Sequence, residues 1–164
     1  MSTTPDQLFQ HLNDLGIKTA VTRHEAVFTV EEARALRGEV PGGHCKNLFL
    51  KDKKGAFWLI VCLEDAAINL KGLPAQIGAA RISFGSADLL REVLGVEPGS
   101  VTPFALINDT AHQVNVVLDD NMMHMDVVNY HPLVNTATVT LTPDDLLKFI
   151  SSCGHEPRIV TLYD

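Results

Sequence analysis

Three short segments hold the residue types that could do chemistry. The first is Gly43-His44-Cys45-Lys46-Asn47, a glycine loop running into a strand. The second is Gly99-Ser100-Val101-Thr102-Pro103, a loop between a helix and a strand. The third is His131-Pro132-Leu133-Val134-Asn135, at a strand end and followed by Thr136 and Thr138. Lys46 alternates with Leu48 and Leu50, so it points inward at the mouth of a sheet. An inward charge is costly unless a partner or ligand meets it. Taken singly, each segment also has a plain reading as a turn glycine, a turn proline or a strand-end histidine.

Other chemistries find less support. Seven histidines invite a metal, and His124 lies among Met122, Met123 and Met125. Yet no H-E-x-x-H or C-x-x-C spacing occurs, so the methionines read as packing and no metal is expected. His44 and Lys46 beside Cys45 could activate a thiol, but neighbours on a strand face opposite ways, and a plain buried or half-buried cysteine is expected. There is no G-x-S-x-G elbow, Walker loop or dinucleotide fingerprint. No cofactor is expected.

The elements that must position these segments are legible. Thr4, Pro5 and Gln7 form a capping box opening a helix that ends near Gly16. Thr29 and Glu32 suggest a second helix to about Arg37. Lys46 to Lys51 and Ala56 to Leu63 read as strands around an Asp52–Gly55 turn. A short helix starts near Pro74, a strand covers Ile82 to Phe84, and a helix follows Ser86. Further strands are expected at Phe104 to Ile107, Asn115 to Leu118, Val127 to Tyr130 and Ala137 to Leu141. Thr142 caps a last helix, and Arg158 to Leu162 closes the chain. Strands and helices are interspersed, and several connections are too tight for parallel crossovers. The expected fold is α+β: a single domain over residues 1–164, with a mixed curved sheet surrounded by helices.

The chain has 164 residues and a formal net charge of −7. That length gives one domain with a real core, and that charge argues against a general nucleic-acid binder. The charge is uneven, however. Arg34, Arg37, Lys46, Lys51, Lys53 and Lys54 cluster, opposed only by Glu39 and Asp52, whereas residues 92–147 hold no Lys or Arg. The cluster reads either as a patch for one end of a nucleic acid or as a hairpin edge that uses Lys to block strand pairing. No apolar run reaches the ~18 residues of a membrane helix. The start MSTTPDQLFQ has no signal-like core. A cytoplasmic location is expected, with neither a membrane nor DNA as partner. Three cysteines with no paired spacing suggest no disulfide framework.

Together the three segments carry a resemblance. The chain resembles the YbaK-like aminoacyl-tRNA deacylase superfamily, and within it the free-standing alanyl-tRNA(Pro) editing branch (ProXp-ala, PrdX-like). The resemblance runs through RHEAVFTVEEA, GGHCKNLFLKD, AFWLIVCLED, LGVEPGSVTPFALIND, NYHPLVNTATVTL and GHEP. It implies hydrolysis of the ester joining a mischarged amino acid to the tRNA 3′ end, with the substrate's own ribose hydroxyl and amine helping a water attack. It implies Lys46, Gly99, Asn47 and His131 at the catalytic site, with His131 open between a site role and a cap of the strand end. Ser100, Val101, Thr102 and Pro103 would hold the aminoacyl end by their backbone. Val30 and Phe49 are candidate walls of a small pocket, though both could equally be core. Lys51 and Arg81 would meet the first base pair and discriminator base, and Lys53 and Lys54 the phosphates. The implied partners are the tRNA(Pro) acceptor stem carrying alanine, and a prolyl-tRNA synthetase or elongation factor. The rival readings are a cysteinyl- or seryl-tRNA deacylase, a non-catalytic tRNA- or synthetase-binding module, and a metal binder using the Met/His cluster.

Overall fold

The computed structural model describes residues 3–25 and 42–162. The second helix expected from Thr29, and the candidate wall residue Val30, lie outside them. Helix α1 (Pro5–Asp14) opens with the expected box: the Gln7 amide donates to Thr4 Oγ1 at 3.2 Å, and the Thr4 amide donates to Gln7 Oε1 at 2.9 Å. Leu8 and Leu12 are its buried face.

The strands are β1 (Ala20–Arg23), β2 (Gly43–Asp52), β3 (Phe57–Leu63), β4 (Ile82–Phe84), β5 (Val114–Asp119), β6 (Val128–Tyr130), β7 (Ala137–Leu141) and β8 (Arg158–Val160). Helices α2 (Leu73–Ile77), α3 (Ala87–Leu94) and α4 (Pro143–Ser152) sit between them. Among the described residues the strand order is β1-β7-β6-β2-β3-β5-β8, and β4 pairs the far end of β2. The pairs β2–β6, β3–β5 and β5–β8 are parallel and the rest antiparallel, so the sheet is mixed as expected. The ten residues of β2 join the two halves: its start pairs β6, its length pairs β3 and its end pairs β4.

Most of β3 is buried, because two cores use its opposite faces. Leu59 and Val61 enter a main core with Leu8, Phe104, Phe149 and Val139. Trp58, Ile60 and Cys62 enter a smaller one with Leu50, Leu73 and Ile77. A strand buried on both sides reads as a continuous apolar run, as FWLIVCL does.

One expected strand is wrong. Phe104 to Ile107 lies in a 3-10 stretch, Pro103–Asn108. Pro103 suits its first turn, and Thr102 Oγ1 accepts from the Phe104 amide at 3.3 Å. A short buried apolar run does not distinguish strand from helical turn by periodicity, so the Thr-Pro start was the better signal. The preceding loop also contains a 3-10 turn, Pro98–Ser100.

Candidate functional site

The site is built on the alternation of three neighbouring strands. On β2, His44, Lys46, Leu48 and Leu50 point to one side, and Cys45, Asn47, Phe49 and Lys51 to the other. His44 pairs with Asn129 on β6, and Asn129 pairs with Thr140 on β7. Val128, Tyr130, Val139 and Leu141 therefore face the main core, and Asn129, Thr138 and Thr140 face the other way. This second face is polar yet buried: the three side chains are each under a tenth exposed. Asn129 bridges the strands, donating through Nδ2 to the Gly43 carbonyl at 3.1 Å and accepting from Thr140 Oγ1 at 2.5 Å. Lys46 and His131 each follow the His44–Asn129 pair by two residues, so the parallel register brings both toward this polar face.

Lys46 is half-buried, and its Nζ donates to the Ala66 carbonyl at 2.6 Å. The inward lysine thus has a protein partner, where the sequence left it without one. Its other two N–H donors have no bond among the described residues. An open cavity of about 410 Å³ lies at this end of β2, lined in part by Gly43, His44, Leu63, Glu64 and Ala66.

His131 Nδ1 lies 3.0 Å from the Ala137 carbonyl. A carbonyl only accepts, so Nδ1 carries the proton and Nε2 of the neutral ring is an acceptor. Burial lowers the His131 pKa; the Ala137 bond opposes this, and the nearby His24 lowers it further. His131 therefore caps the β6–β7 turn through one nitrogen and offers a lone pair through the other.

The two loops meet. A Cβ on Gly99 would lie 3.3 Å from Asn135 Nδ2, so the Gly99 loop packs against the end of the His131–Asn135 segment. Leu133 holds that segment's bend with φ of 70°, a conformation that costs about 1–3 kcal/mol in a non-glycine residue. Ser100, Thr102 and Pro103 are buried, and Val101 packs on the main core. What this loop offers a ligand is therefore its backbone.

Asn47 is not on the polar face. It points to the core side, opposite Val61 on β3, and its Oδ1 is buried with no hydrogen-bond partner among the described residues. Phe49 is a core residue: it is 5% exposed, stacks on Phe57 at 5.7 Å and lies against Gly85, where a Cβ would come within 2.4 Å of its ring. Cys45 is no nucleophile, because burial pushes its thiol up to about 12. The Met/His cluster also separates: Met122 is buried in the core, whereas His124 is exposed and bonded to the Asp120 carbonyl.

The basic residues do come together. Lys51 pairs with Ser83 on β4, and the Lys53 amide donates to the Arg81 carbonyl at 2.8 Å. With Lys54 in the same turn, four cations occupy one corner of the sheet. Asp52, the acid among them, turns inward: its carboxylate accepts from the Lys54 and Ala56 amides and from Trp58 Nε1. Burial raises its pKa, but the bonds from Trp58 and the turn amides outweigh that and hold it below the ordinary carboxylate value. Among the described residues none of the four cations has an ion-pair partner.

Sequence reasoning missed Asn129, Thr140, His24 and the Ala66 carbonyl. The strand ATVTL carried a signal for the first two, since an apolar strand with threonine at every second place is buried on a polar side as well. Nothing local marks Ala66, which acts through its backbone.

The polar face and both loops fall within one matched region, since the Aminoacyl-tRNA editing domain family covers residues 24–149. The chain belongs to that family. A Bos taurus relative named Prolyl-tRNA synthetase associated domain-containing protein 1 is 40% identical over 158 residues, spanning 93% of this chain and 92% of the relative. The Prolyl-tRNA editing protein ProX of Acetoanaerobium sticklandii is 37% identical over 152 residues, spanning 92% and 93%. The editing-domain fold also recurs among solved structures. One, described as a candidate trans-editing enzyme for prolyl tRNA synthetase, aligns with a TM-score of 0.70 at 20% identity over 98% of each chain.

Proposed function

We propose that this protein is a trans-editing hydrolase that deacylates alanine mischarged on tRNA(Pro). The observation that carries this reading is the approach of Lys46 and His131 to one polar face, next to a glycine loop whose Ser100, Thr102 and Pro103 side chains are buried. The Lys46 ammonium, held by Ala66, uses its remaining donors on the phosphate or ester oxygen of the tRNA 3′ end. His131 Nε2 accepts a hydrogen bond from the donor groups of the aminoacyl-adenosine. The backbone of Gly99 to Pro103 holds the aminoacyl carbonyl while water attacks it. The new bond joins the water oxygen to the carbonyl carbon. The carbon–ribose oxygen bond breaks, and the ribose oxygen takes the proton, releasing alanine and free tRNA. In this account Asn47 acts from behind the strand, as a positioning residue.

Lys51, Arg81, Lys53 and Lys54 form the tRNA contact, with Arg81 reading a base edge and the turn lysines meeting phosphates. A prolyl-tRNA synthetase or an elongation factor is the partner that hands over the tRNA. No described helix is long and apolar enough to cross a membrane.

Selection follows from size. A synthetase pocket built for proline rejects alanine weakly, because a missing methylene is worth only about 1–3 kcal/mol. A second, smaller pocket removes the alanine and excludes proline by clash. With Phe49 committed to the core, Val30 is the proposed wall.

The test is deacylation of alanyl-, cysteinyl- and prolyl-tRNA(Pro) by wild type and Lys46→Ala. The expected result is hydrolysis of the alanyl ester alone, lost by at least about 100-fold in the variant. Clearance of cysteine instead replaces the substrate, and no hydrolysis of any ester makes the protein a binding module.

A further inference from the structure

His24 begins the RHEAVFTVEEA segment, and the reaction above gives it no role. It directly follows β1, at the edge where β1 pairs β7. Its Nδ1 lies 2.7 Å from the Glu25 carbonyl, and its Nε2 lies 2.9 Å from Thr138 Oγ1. Its ring centroid is 6.2 Å from that of His131, tilted by 57°. The Glu25 carbonyl can only accept, so it fixes the His24 proton on Nδ1, and Nε2 then accepts from the Thr138 hydroxyl. His131 is fixed the same way by Ala137. Two neighbouring imidazoles are thus pinned in the same tautomer by two backbone carbonyls.

We propose that His24 is a positioning residue for His131, holding the strand-end geometry through Thr138 and keeping His131 in the state that accepts at Nε2. A second imidazole this close disfavours charge on His131. The other groups around His131 do not supply that restraint. Strand β7 carries no titratable group. From β2, His44 and Lys46 reach this face, with Lys46 turned to Ala66. After β1, Glu25 is exposed. No ionisable residue follows between Pro132 and Asn135. Among the described residues, His24 is the ionisable ring that lies against His131 and disfavours charge on it.

The catalytic side of this inference rests on the deacylase reading, so the experiment has two readouts. His24→Ala and His24→Gln are compared with wild type by NMR titration of the His131 imidazole, assigned through His131→Asn. Single-turnover deacylation is measured from pH 5.5 to 8.5. The expected result is an upward shift of the His131 midpoint in both variants. The ratio of the rate at pH 6 to that at pH 8 should fall by at least about twofold. His24→Gln should keep the rate at pH 8 within about twofold of wild type, since its amide reaches Thr138 without a charge. An unmoved His131 midpoint in both folded variants overturns the inference. So does an equal, pH-independent loss of rate in both, which marks a purely structural role. Absence of wild-type activity overturns the deacylase reading instead, and the titration still decides whether His24 governs His131.

Discussion

Replacing Asp52 with alanine removes the acceptor for three donors at once: the Lys54 and Ala56 amides at 2.9 Å and Trp58 Nε1 at 3.1 Å. The two turn amides lie near the surface, where water can replace the carboxylate. The indole N–H is buried and would have no partner, which costs about 1–3 kcal/mol by itself. Adding a smaller share for the turn gives an expected loss of about 2–4 kcal/mol for Asp52→Ala. Asp52→Asn keeps an oxygen for the turn amides but sets its NH₂ against the indole, so about 1–2 kcal/mol is expected. Trp58 is the chain's single tryptophan, so its fluorescence in a urea titration reports this region directly. The pH dependence has a definite sign. A carboxyl held below its ordinary value of 3.8 contributes stability above that value and loses it as pH falls through the folded value. The wild-type advantage over Asp52→Asn should therefore be constant near neutrality and shrink below about pH 4. Equal losses for Ala and Asn, or a difference that does not change on acidification, would refute the reasoning.

Two further predictions concern packing and reactivity. Gly85→Ala sets a methyl within 2.4 Å of the Phe49 ring, so a loss of about 1–3 kcal/mol is expected in thermal or urea unfolding; unchanged stability would mean that β4 shifts freely. Cys45, half-buried with its thiol pushed up to about 12, should resist alkylation by iodoacetamide at pH 8 in the folded protein and react fully in urea; rapid labelling of native Cys45 refutes this.

The elements that decide the fold were legible where local chemistry is strong. The Thr4–Gln7 capping box, the Asp52–Gly55 turn, and the Ser86 and Thr142 caps each occur at the expected place. Reading failed at Phe104 to Ile107, where tertiary burial makes a 3-10 stretch as apolar as a strand. In the site, the inward direction of Lys46 followed from its alternation with Leu48 and Leu50. Its partner did not, because Ala66 is separated by a strand and a turn and contributes only a carbonyl. The resemblance places Asn47 beside Lys46 in the site, yet adjacency on a strand puts the two on opposite faces. The parallel pairing of β2 with β6 joins His44 to Asn129 across 85 positions, and no local pattern announces such a pair.

On the proposed deacylase reading, these placements would let an editing site work without a visible triad. A half-buried ammonium with no partner would destabilise the empty protein. The Ala66 carbonyl offsets part of that cost and fixes Nζ in direction, leaving two donors that need little ordering when an anion arrives. His131 is prepared in the same manner, with one nitrogen used by the backbone and the other left as an acceptor. Asn129, Thr138 and Thr140 supply the rigid support, since each is buried and two of them bond to each other across the β6–β7 pair. The chain thus invests its polar side chains in holding a lysine, a histidine and a stretch of backbone at set positions. In the proposed reaction, a substrate that brings its own hydroxyl and amine needs orientation more than it needs a strong base, and these buried strands would supply that orientation.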